Sequence, residues 1–366
     1  MRSAHIPVPI AAAFVRDVFQ GLGVPPDDAR ICADVLLAAD LRGIASHGLS
    51  RLKYYYDRIR AGVQSTRTEI EIVAETETTS LVDGHHGMGA VIAEHSMRLA
   101  MDKAHRFGLG ATAARNSTHF GIAGYYPLMA AAEGMMGLTV TNARPAIAPT
   151  FGGEPMLGTN PIAFAAPSDL DFPFCFDAAT SITQRGKVEV AARTGKPLPD
   201  GCVADPQGQA LTDPRRVLAG LDEATASLLP LGGAGELLAG YKGYGLATMV
   251  EILSAALCGG MFMHDLLGFA PDGSRRPYML GHWFLAIDVA HFIPLDESRR
   301  ITGQIMRNLQ NARKEPGQER IYVAGEKEHE MEQQVRRCGI PVDCGLRAEL
   351  AGVRDELGVA GYDEYF

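Results

Sequence analysis

The stretch GLGATAA, residues 108–114, argues against the commonest nucleotide-binding fold. Its letters satisfy the G-x-G-x-x-A fingerprint, which requires a strand, a tight turn and a helix in that order. Here the order is reversed, because residues 90–107 have the amphipathic periodicity of a long helix and the glycines lead into a strand. We therefore predict an α/β protein in which this stretch is a junction from helix to strand and does not cradle a pyrophosphate.

Hydrophobic periodicity on either side of this junction predicts the other elements. The first 62 residues read as a small helical unit with helices at 9–21, 29–41 and 47–61. Strands are expected at 69–74, 80–83, 108–114, 136–141, 161–166, 172–177 and 283–289, and further helices at 125–134, 244–258, 298–311 and 328–337. Residues 191–230 are polar and rich in turn residues, so we expect them to lie on the surface.

Composition and charge narrow the class of protein. The chain has 366 residues, of which 46% are hydrophobic and 21% charged, as in a globular protein of about two domains. Its net charge of −9 argues against a general nucleic-acid binder. The N-terminus lacks a signal-peptide pattern and the six cysteines form no C-x-x-C pair, so we expect a cytoplasmic protein with reduced thiols. The apolar residues 246–263 include Glu251, which favours a buried helix over a membrane span.

The segment RGIASHGLSR, residues 42–51, contains the first candidate catalytic residues. If a helix begins near Ser46, His47 and Arg51 lie four residues apart on one face. A guanidinium binds a carboxylate through two parallel hydrogen bonds, and an imidazole can pass a proton to the adjacent carbonyl oxygen. Ser46 is placed to orient the imidazole. The alternative is a capped surface helix on which His47 and Arg51 are solvated.

Two further loops have residues suited to a small ligand. His119 lies in NSTHFGIAGY, residues 116–125, after a predicted strand and before a helix whose free N–H groups favour anions. The alternative is a histidine packed in a tight loop. In the turn GTNP, residues 158–161, the side chain of Thr159 offers hydrogen bonds.

Two more segments suit an anionic ligand, and neither is specific alone. The segment DAATS, residues 177–181, ends an apolar strand, and Lys242 in GYKGYG, residues 240–245, stands at the start of a long apolar helix where it can meet a phosphate. His and Cys residues have no zinc-type spacing, so we expect no metal site.

Taken together and in this order, the segments resemble the malate/L-lactate dehydrogenase family. This family is distinct from the Rossmann-type lactate dehydrogenases and includes sulfolactate, ureidoglycolate and diketogulonate enzymes and cyclic-imine reductases. The matching segments are RGIASHGLSR, NSTHFGIAGYY, FGGEPMLGTNPIAFAAP, DAATS and YKGYGLATMVEIL. The similarity covers nearly the whole chain.

The resemblance implies an α/β (α+β) fold that is not of the Rossmann type, with a mixed, largely antiparallel sheet. Residues 1–75 and 300–366 would form a helical domain for substrate binding and dimerisation, and residues 76–299 the domain for the nicotinamide cofactor. The implied activity is the NAD- or NADP-dependent interconversion of a small 2-hydroxy acid and its 2-oxo acid, of the malate or lactate type. The implied assembly is a homodimer with the active site near the subunit boundary, without nucleic acid or membrane as a partner.

The resemblance also assigns individual residues. His47 matches the proton donor, Ser46 its hydrogen-bond partner and Arg51 the carboxylate clamp. His119 matches a residue at the nicotinamide, which is the catalytic base in the ureidoglycolate branch, and Thr159 matches a substrate contact. The cofactor contacts match His119, Asp177, Ala179, Thr180, Lys242, Gly243, Gly325 and Glu326. A homologue without catalysis is disfavoured because both histidines and the arginine are present.

Two departures from the family bear on the substrate. Lys187 stands where the imine-reductase branch has an acid, which disfavours the alternative substrate, a cyclic ketimine such as piperideine- or pyrroline-2-carboxylate. Ala143 stands where the ureidoglycolate branch has a serine. The following Arg144 is available for an extra acid group of the substrate, such as that of malate.

Overall fold

The computed structural model describes residues 4–366, so the first three residues of the N-terminal segment examined for a signal peptide lie outside the described residues. Its α-helices are α1 (Val8–Gly21), α2 (Pro26–Leu41), α3 (Leu52–Arg60), α4 (Gly89–Phe107), α5 (Tyr125–Ala132), α6 (Arg185–Thr194), α7 (Pro214–Asp222), α8 (Gly240–Glu251), α9 (Leu295–Gln310), α10 (Glu326–Cys338) and α11 (Cys344–Leu357). Its strands are β1 (Ala4–Ile6), β2 (Glu71–Glu75), β3 (Thr79–Asp83), β4 (Leu109–Ser117), β5 (Met135–Thr141), β6 (Ile162–Ala166), β7 (Phe174–Ala178), β8 (Val203–Ala204), β9 (Ser227–Leu228), β10 (Leu280–Asp288) and β11 (Ile340–Val342).

Seven strands form the central sheet, in the order β2-β3-β4-β10-β5-β6-β7. Strands β3 and β4 run parallel, and the other neighbours in this sheet are antiparallel. The late strand β10 lies between β4 and β5, so a segment from near the end of the chain completes the middle of the sheet. The expected mixed, largely antiparallel sheet is confirmed.

The GLGATAA stretch joins α4 to β4. Gly108 has a φ of +85° and ends α4, and its N–H donates to the carbonyl of Ala104 at 2.7 Å. A left-handed residue after a helix is the usual place for glycine, because glycine has no Cβ to clash with the preceding turn. The glycine at position 108 therefore ends a helix, as predicted, and the helix covers the sheet with fully buried side chains such as Ile92 and Met97.

The two ends of the chain meet in a second, helical core. Strands β1 and β11 pair antiparallel, with Ile6 opposite Ile340. Phe14 of α1 stacks on Phe366, with ring centroids 4.1 Å apart. The terminal strands are absent from the sequence prediction because three-residue strands carry too few residues for a period to show. The 14-residue helix α11 was also missed. The predicted domain boundaries at 75 and 300 stay a prediction.

Two expectations about surface and core need refinement. Residues 191–230 are mostly exposed, as expected, but they also contribute to a small core in which Val203, Val217 and Leu228 are fully buried. The apolar run 246–263 is half-exposed, since it forms α8 and a turn of π-helix with one outward face of large apolar side chains. Within residues 4–366, no helix is long and apolar enough to cross a membrane.

Candidate active site

The segment before α3 is a folded loop where we had expected a helix. Helix α3 begins at Leu52, after a short 3-10 turn, so the prediction of a helix from residue 47 was wrong. The backbone of Gly48 is extended, with φ −95° and ψ −136°, so no helix can run through it. The buried carboxylate of Asp40 holds the loop, because its Oδ2 accepts the backbone N–H of Leu49 at 2.7 Å.

Ser46 nevertheless links the two predicted catalytic side chains. Its Oγ lies 2.9 Å from Nδ1 of His47, and its carbonyl accepts a hydrogen bond from Nε of Arg51 at 2.7 Å. The loop thus brings the imidazole and the guanidinium together through Ser46 and does not need the shared helical face that the sequence suggested.

His119 lies beside His47, and the two rings are 5.7 Å apart with an angle of 25° between their planes. Nδ1 of His119 accepts the N–H of Gly121 at 3.3 Å and lies 2.6 Å from the hydroxyl of Tyr55. Since a backbone N–H can only donate, Nδ1 is the acceptor and the proton of the neutral ring is on Nε2. The N–H of Gly121 therefore fixes the tautomer of His119, and the hydroxyl of Tyr55 helps to orient the ring.

Burial favours the neutral form of both rings. Burial, aided by the positive charge of Arg51, lowers the pKa of His47 to about 4. Burial also lowers the pKa of His119 well below its usual value, and the nearby His47 and Arg51 act in the same direction. A neutral imidazole can accept a proton from a hydroxyl group, and an anion bound beside Arg51 would raise the affinity of either ring for a proton.

Arg51 has a partner that a substrate can replace. Its Nη2 lies 3.3 Å from Oε2 of Glu189 on α6, and the side chain of Glu189 is 37% exposed. A partly exposed ion pair of this kind adds little stability. A substrate carboxylate can therefore take the place of Glu189 on the guanidinium.

Thr159 belongs to a turn that is held by buried polar groups. Its carbonyl accepts the N–H of Thr180 at 2.9 Å. The next residue, Asn160, donates to Oε2 of Glu251 at 2.8 Å and accepts the N–H of Ala143 at 3.1 Å. Glu251 also accepts the N–H of Met263, so one buried carboxylate anchors α8 and the loops at 143 and 159. The sequence shows Glu251 only as a lone acid in an apolar run.

Asp177 lines a cavity of about 260 Å³ near the start of α10. Its Oδ2 accepts the N–H of Gly124 at 2.7 Å, and burial raises its pKa to about 6. Gly325 lines the same cavity with a φ of +92°, and a Cβ there would come within 3.0 Å of the backbone N of Cys175. Glu326 does not line this cavity, because its carboxylate accepts the N–H of Val323 and pairs with Arg320.

Close backbone contacts join the remaining predicted cofactor residues. Thr180 accepts the N–H of Leu231 at 2.9 Å through its carbonyl, and a Cβ on Gly243 would lie 2.3 Å from the carbonyl oxygen of Leu231. Ala179, next to Thr180, is buried. Lys242 is exposed at the first turn of α8. Backbone contacts therefore group Thr159, Thr180 and Gly243 near the end of β7. None of these three residues lines the cavity at Asp177.

Sequence reasoning missed several residues that hold the site. Tyr55 follows Arg51 by four residues, and this helical spacing was available as a signal. Asp40 and Glu189 gave none, because their partners lie 9 and 138 residues away and neither separation is a helical or strand period. No group of three His, Cys, Asp or Glu side chains within residues 4–366 is arranged to hold a metal ion.

Known proteins share this architecture. The sequence profile described as malate/L-lactate dehydrogenase matches residues 6–351. The chain belongs to the malate/L-lactate dehydrogenase family.

Individual members of the malate/L-lactate dehydrogenase family match over almost their whole length. A malate dehydrogenase from Pyrococcus horikoshii is 44% identical, covering 95% of this chain and 94% of the relative. An L-sulfolactate dehydrogenase from Methanocaldococcus jannaschii is 38% identical, covering 94% of each chain. The crystal structure of malate dehydrogenase from Entamoeba histolytica superposes with a TM-score of 0.95 at 39% identity, covering 98% of this chain and 99% of the other. The predicted family and its fold are confirmed.

Proposed function

We propose that this member of the family interconverts a small 2-hydroxy acid and its 2-oxo acid, with NAD or NADP as the second substrate. The observation that carries the proposal is the juxtaposition of two neutral imidazoles, His47 and His119, with the guanidinium of Arg51. Such a group can bind a carboxylate and exchange a proton with the adjacent oxygen, which is what the protein must do while the nicotinamide supplies or accepts a hydride.

The residues around Asp177 fit part of a dinucleotide. The cavity of about 260 Å³ can hold one nucleoside half, and the carboxylates of Asp177, Glu328 and Glu332 line it together with Arg42. Carboxylates accept hydrogen bonds from ribose hydroxyls, and a guanidinium can bind a phosphate. We propose that Asp177 and Gly325 hold this half of the cofactor. Thr180, Lys242 and Gly243 would hold the part that approaches His119.

Within the site, we assign the proton transfer to His47. Its Nδ1 is engaged with Ser46 at 2.9 Å, so Nε2 is the ring nitrogen left for the substrate. His119 uses Nδ1 to accept from Gly121, so its Nε2–H is a donor and suits contact with the nicotinamide amide or the substrate oxygen. Arg51 would exchange Glu189 for the substrate carboxylate.

The outward face of α8 supports the proposed homodimer. Leu246 and Met249 of α8 and Ile252 of the π-helical turn that follows it are between 39% and 56% exposed, and Leu257 continues the face. Lys242 and Gly243 lie in the first turn of α8, so pairing across this helix would place the subunit boundary beside the proposed cofactor site. A contiguous apolar patch of this kind is typical of an interface. Cytoplasmic location is proposed on the cysteine pattern alone.

Light scattering tests the dimer. The native chain should have twice the mass of the monomer, and Ile252→Glu should shift it to the monomer at micromolar concentration. Ile305→Glu is the matched control, since Ile305 is 55% exposed on α9. Loss of the dimer in the control alone would move the interface to α9.

An absorbance assay tests the activity. Oxidation of NADH or NADPH at 340 nm, a standard wavelength for the reduced nicotinamide, would be followed with pyruvate, oxaloacetate and a cyclic ketimine. We expect turnover with a 2-oxo acid and at least one cofactor. Turnover confined to the ketimine would favour the alternative reductase activity in spite of Lys187, and the absence of cofactor binding in calorimetry would refute both.

A further inference from the structure

Two arginines that the reaction does not use lie next to the catalytic histidines. The guanidinium carbon of Arg58 is 3.5 Å from the ring centroid of Tyr278, and that of Arg144 is 5.1 Å from the same centroid. Tyr278 is 9% exposed, so this ring gathers two positive charges at the edge of the protein core. Such stacking orients guanidinium groups without neutralising them.

Arg58 has no counter-charge. Its Nε and Nη2 are buried and have no hydrogen-bond partner. Among the described residues, no carboxylate forms an ion pair with Arg58 or Arg144. The charge of Arg144 does reach Asp222, but that carboxylate is held by two hydrogen bonds from Arg185 at 2.6 and 3.0 Å. Buried donors without acceptors are costly, so an anionic ligand would complete this group.

The pair adjoins the proposed substrate position on two sides. Tyr54 is the common neighbour, because its ring lies 5.8 Å from that of His119 and 5.9 Å from the guanidinium carbon of Arg58. Arg144 follows Ala143, whose N–H donates to Asn160 in the turn that carries Thr159. The two arginines therefore sit beside the histidines and beside the predicted substrate contact.

We propose that Arg58 and Arg144, stacked on Tyr278, bind a second acid group of the substrate, a carboxylate or sulfonate on the carbon next to the carbonyl. The inference rests on the proposed function and makes it narrower. Arg51 binds the carboxylate that every 2-hydroxy acid has, and the pair on Tyr278 selects the acids that carry another negative charge. Sequence alone offered Arg144 for this role from its charge, and the structure adds Arg58.

The pair would make a second acid group necessary for tight binding. A site whose buried polar donors are matched by the correct substrate rejects an analogue that leaves them unpaired. A monoacid such as pyruvate would bury Arg58 and Arg144 without an acceptor. A diacid replaces that loss with charge-assisted hydrogen bonds.

Kinetics with three 2-oxo acids tests the proposal. For the native protein, kcat/KM with oxaloacetate or 3-sulfopyruvate should exceed that with pyruvate, and the preferred one of the first two identifies the acid. Arg58→Met should lower the ratio of the diacid to pyruvate by about 30-fold or more, the usual scale for removing one partner of a buried charge pair. Arg58→Lys, which keeps the charge but loses the planar fork, should fall in between. Arg60→Met is the matched control on an exposed position of the same helix and should leave the ratio unchanged.

A binding measurement without cofactor separates recognition from chemistry. Succinate should raise the melting temperature more than butyrate, which has the same chain length and one acid, and Arg144→Met or Arg58→Met should abolish that difference. If one of these variants does not fold, the other can still show whether the difference between succinate and butyrate is lost. If the variants turn over and keep the native ratio of kcat/KM with the diacid to kcat/KM with pyruvate, this inference is overturned and the proposed function is not affected. If the native protein turns over no 2-oxo acid, the result counts against the proposed function itself.

Discussion

His47 and Arg51 are positioned through side-chain hydrogen bonds, whereas Thr180 and Gly243 are positioned by the close approach of backbone segments. On the substrate side, Ser46 holds both groups at 2.9 and 2.7 Å. On the cofactor side, Thr180 bonds the backbone of Leu231, and Gly243 packs against that same residue. The substrate side needs particular side chains, so it can be recognised as a motif in the sequence. The cofactor side needs mainly small residues, so its sequence motif is weak.

This difference predicts two kinds of mutational response. Changing a side chain on the substrate side should affect the chemistry while the cofactor still binds. Changing a small residue on the cofactor side should displace backbone, so that cofactor affinity falls first. The experiments below are ordered from the largest expected effect to the smallest.

The largest effect is expected for His47→Asn. Removing a general acid–base group lowers kcat by about 10²–10⁴-fold. The affinity for NADH or NADPH should stay within a few-fold in calorimetric titration, because His47 is engaged with Ser46 on the substrate side. His119→Asn is the paired variant and should weaken cofactor binding as well. If His119→Asn binds cofactor normally but is inactive, and His47→Asn still turns over, the two roles must be exchanged.

Arg51→Ala should come next. Loss of this charge-assisted contact leaves the substrate carboxylate unpaired. We expect kcat/KM to fall by an amount that corresponds to about 2–5 kcal/mol of activation free energy. Arg51→Lys should also be poor, because one ammonium cannot form the two parallel bonds. Glu189→Gln provides the comparison, since it removes the partner that competes for Arg51 and should lower KM. Native kcat/KM in a folded Arg51→Ala protein would contradict the assignment.

Gly243→Ala tests the cofactor side. A Cβ at this position would lie 2.3 Å from the carbonyl of Leu231, so the start of α8 must move. Overpacking of this kind costs about 1–3 kcal/mol, and we expect it to appear as weaker cofactor binding. Gly245→Ala is a control two residues further along α8, where nothing lies within 4 Å of the added Cβ. Equal cofactor affinity in both variants would mean that the backbone contact at Leu231 does not position the site.

The same contrast explains how much the sequence could predict. The motif around His47 and Arg51 predicted two side chains that the structure brings together through Ser46. The helix proposed to join them is absent, because the backbone of Gly48 is extended, with φ −95° and ψ −136°. The GLGATAA junction was predicted correctly, since the signals that end α4 and begin β4 are local. Contacts across the fold, such as Glu189 on Arg51, depend on which elements pack together, and no local pattern records that.

The surface of α8 shows a second limit of the same kind. A run of apolar residues predicts burial, and the structure instead leaves Met249 and Ile252 exposed. An apolar helix face predicts that this face is buried in the assembled protein. It does not say whether the covering surface belongs to the same chain, which is why the dimer experiment bears on the sequence prediction as well as on the assembly.

The smallest effect is expected from Asp40→Asn, which tests how firmly the substrate loop is held. Burial raises the pKa of Asp40 to about 7. Between its unfolded value of about 3.8 and pH 7, the folded protein binds the proton and the unfolded chain does not, so the free energy of unfolding falls as pH rises through this range. Asparagine is neutral at every pH and keeps an oxygen that can accept the N–H of Leu49. We therefore expect the stability of the variant relative to the native protein to increase by about 1–3 kcal/mol between pH 5 and pH 8, measured by urea unfolding at each pH. If the two proteins instead show parallel profiles, Asp40 titrates as an ordinary carboxylate and its ionised form is the one that holds the loop of His47 and Arg51.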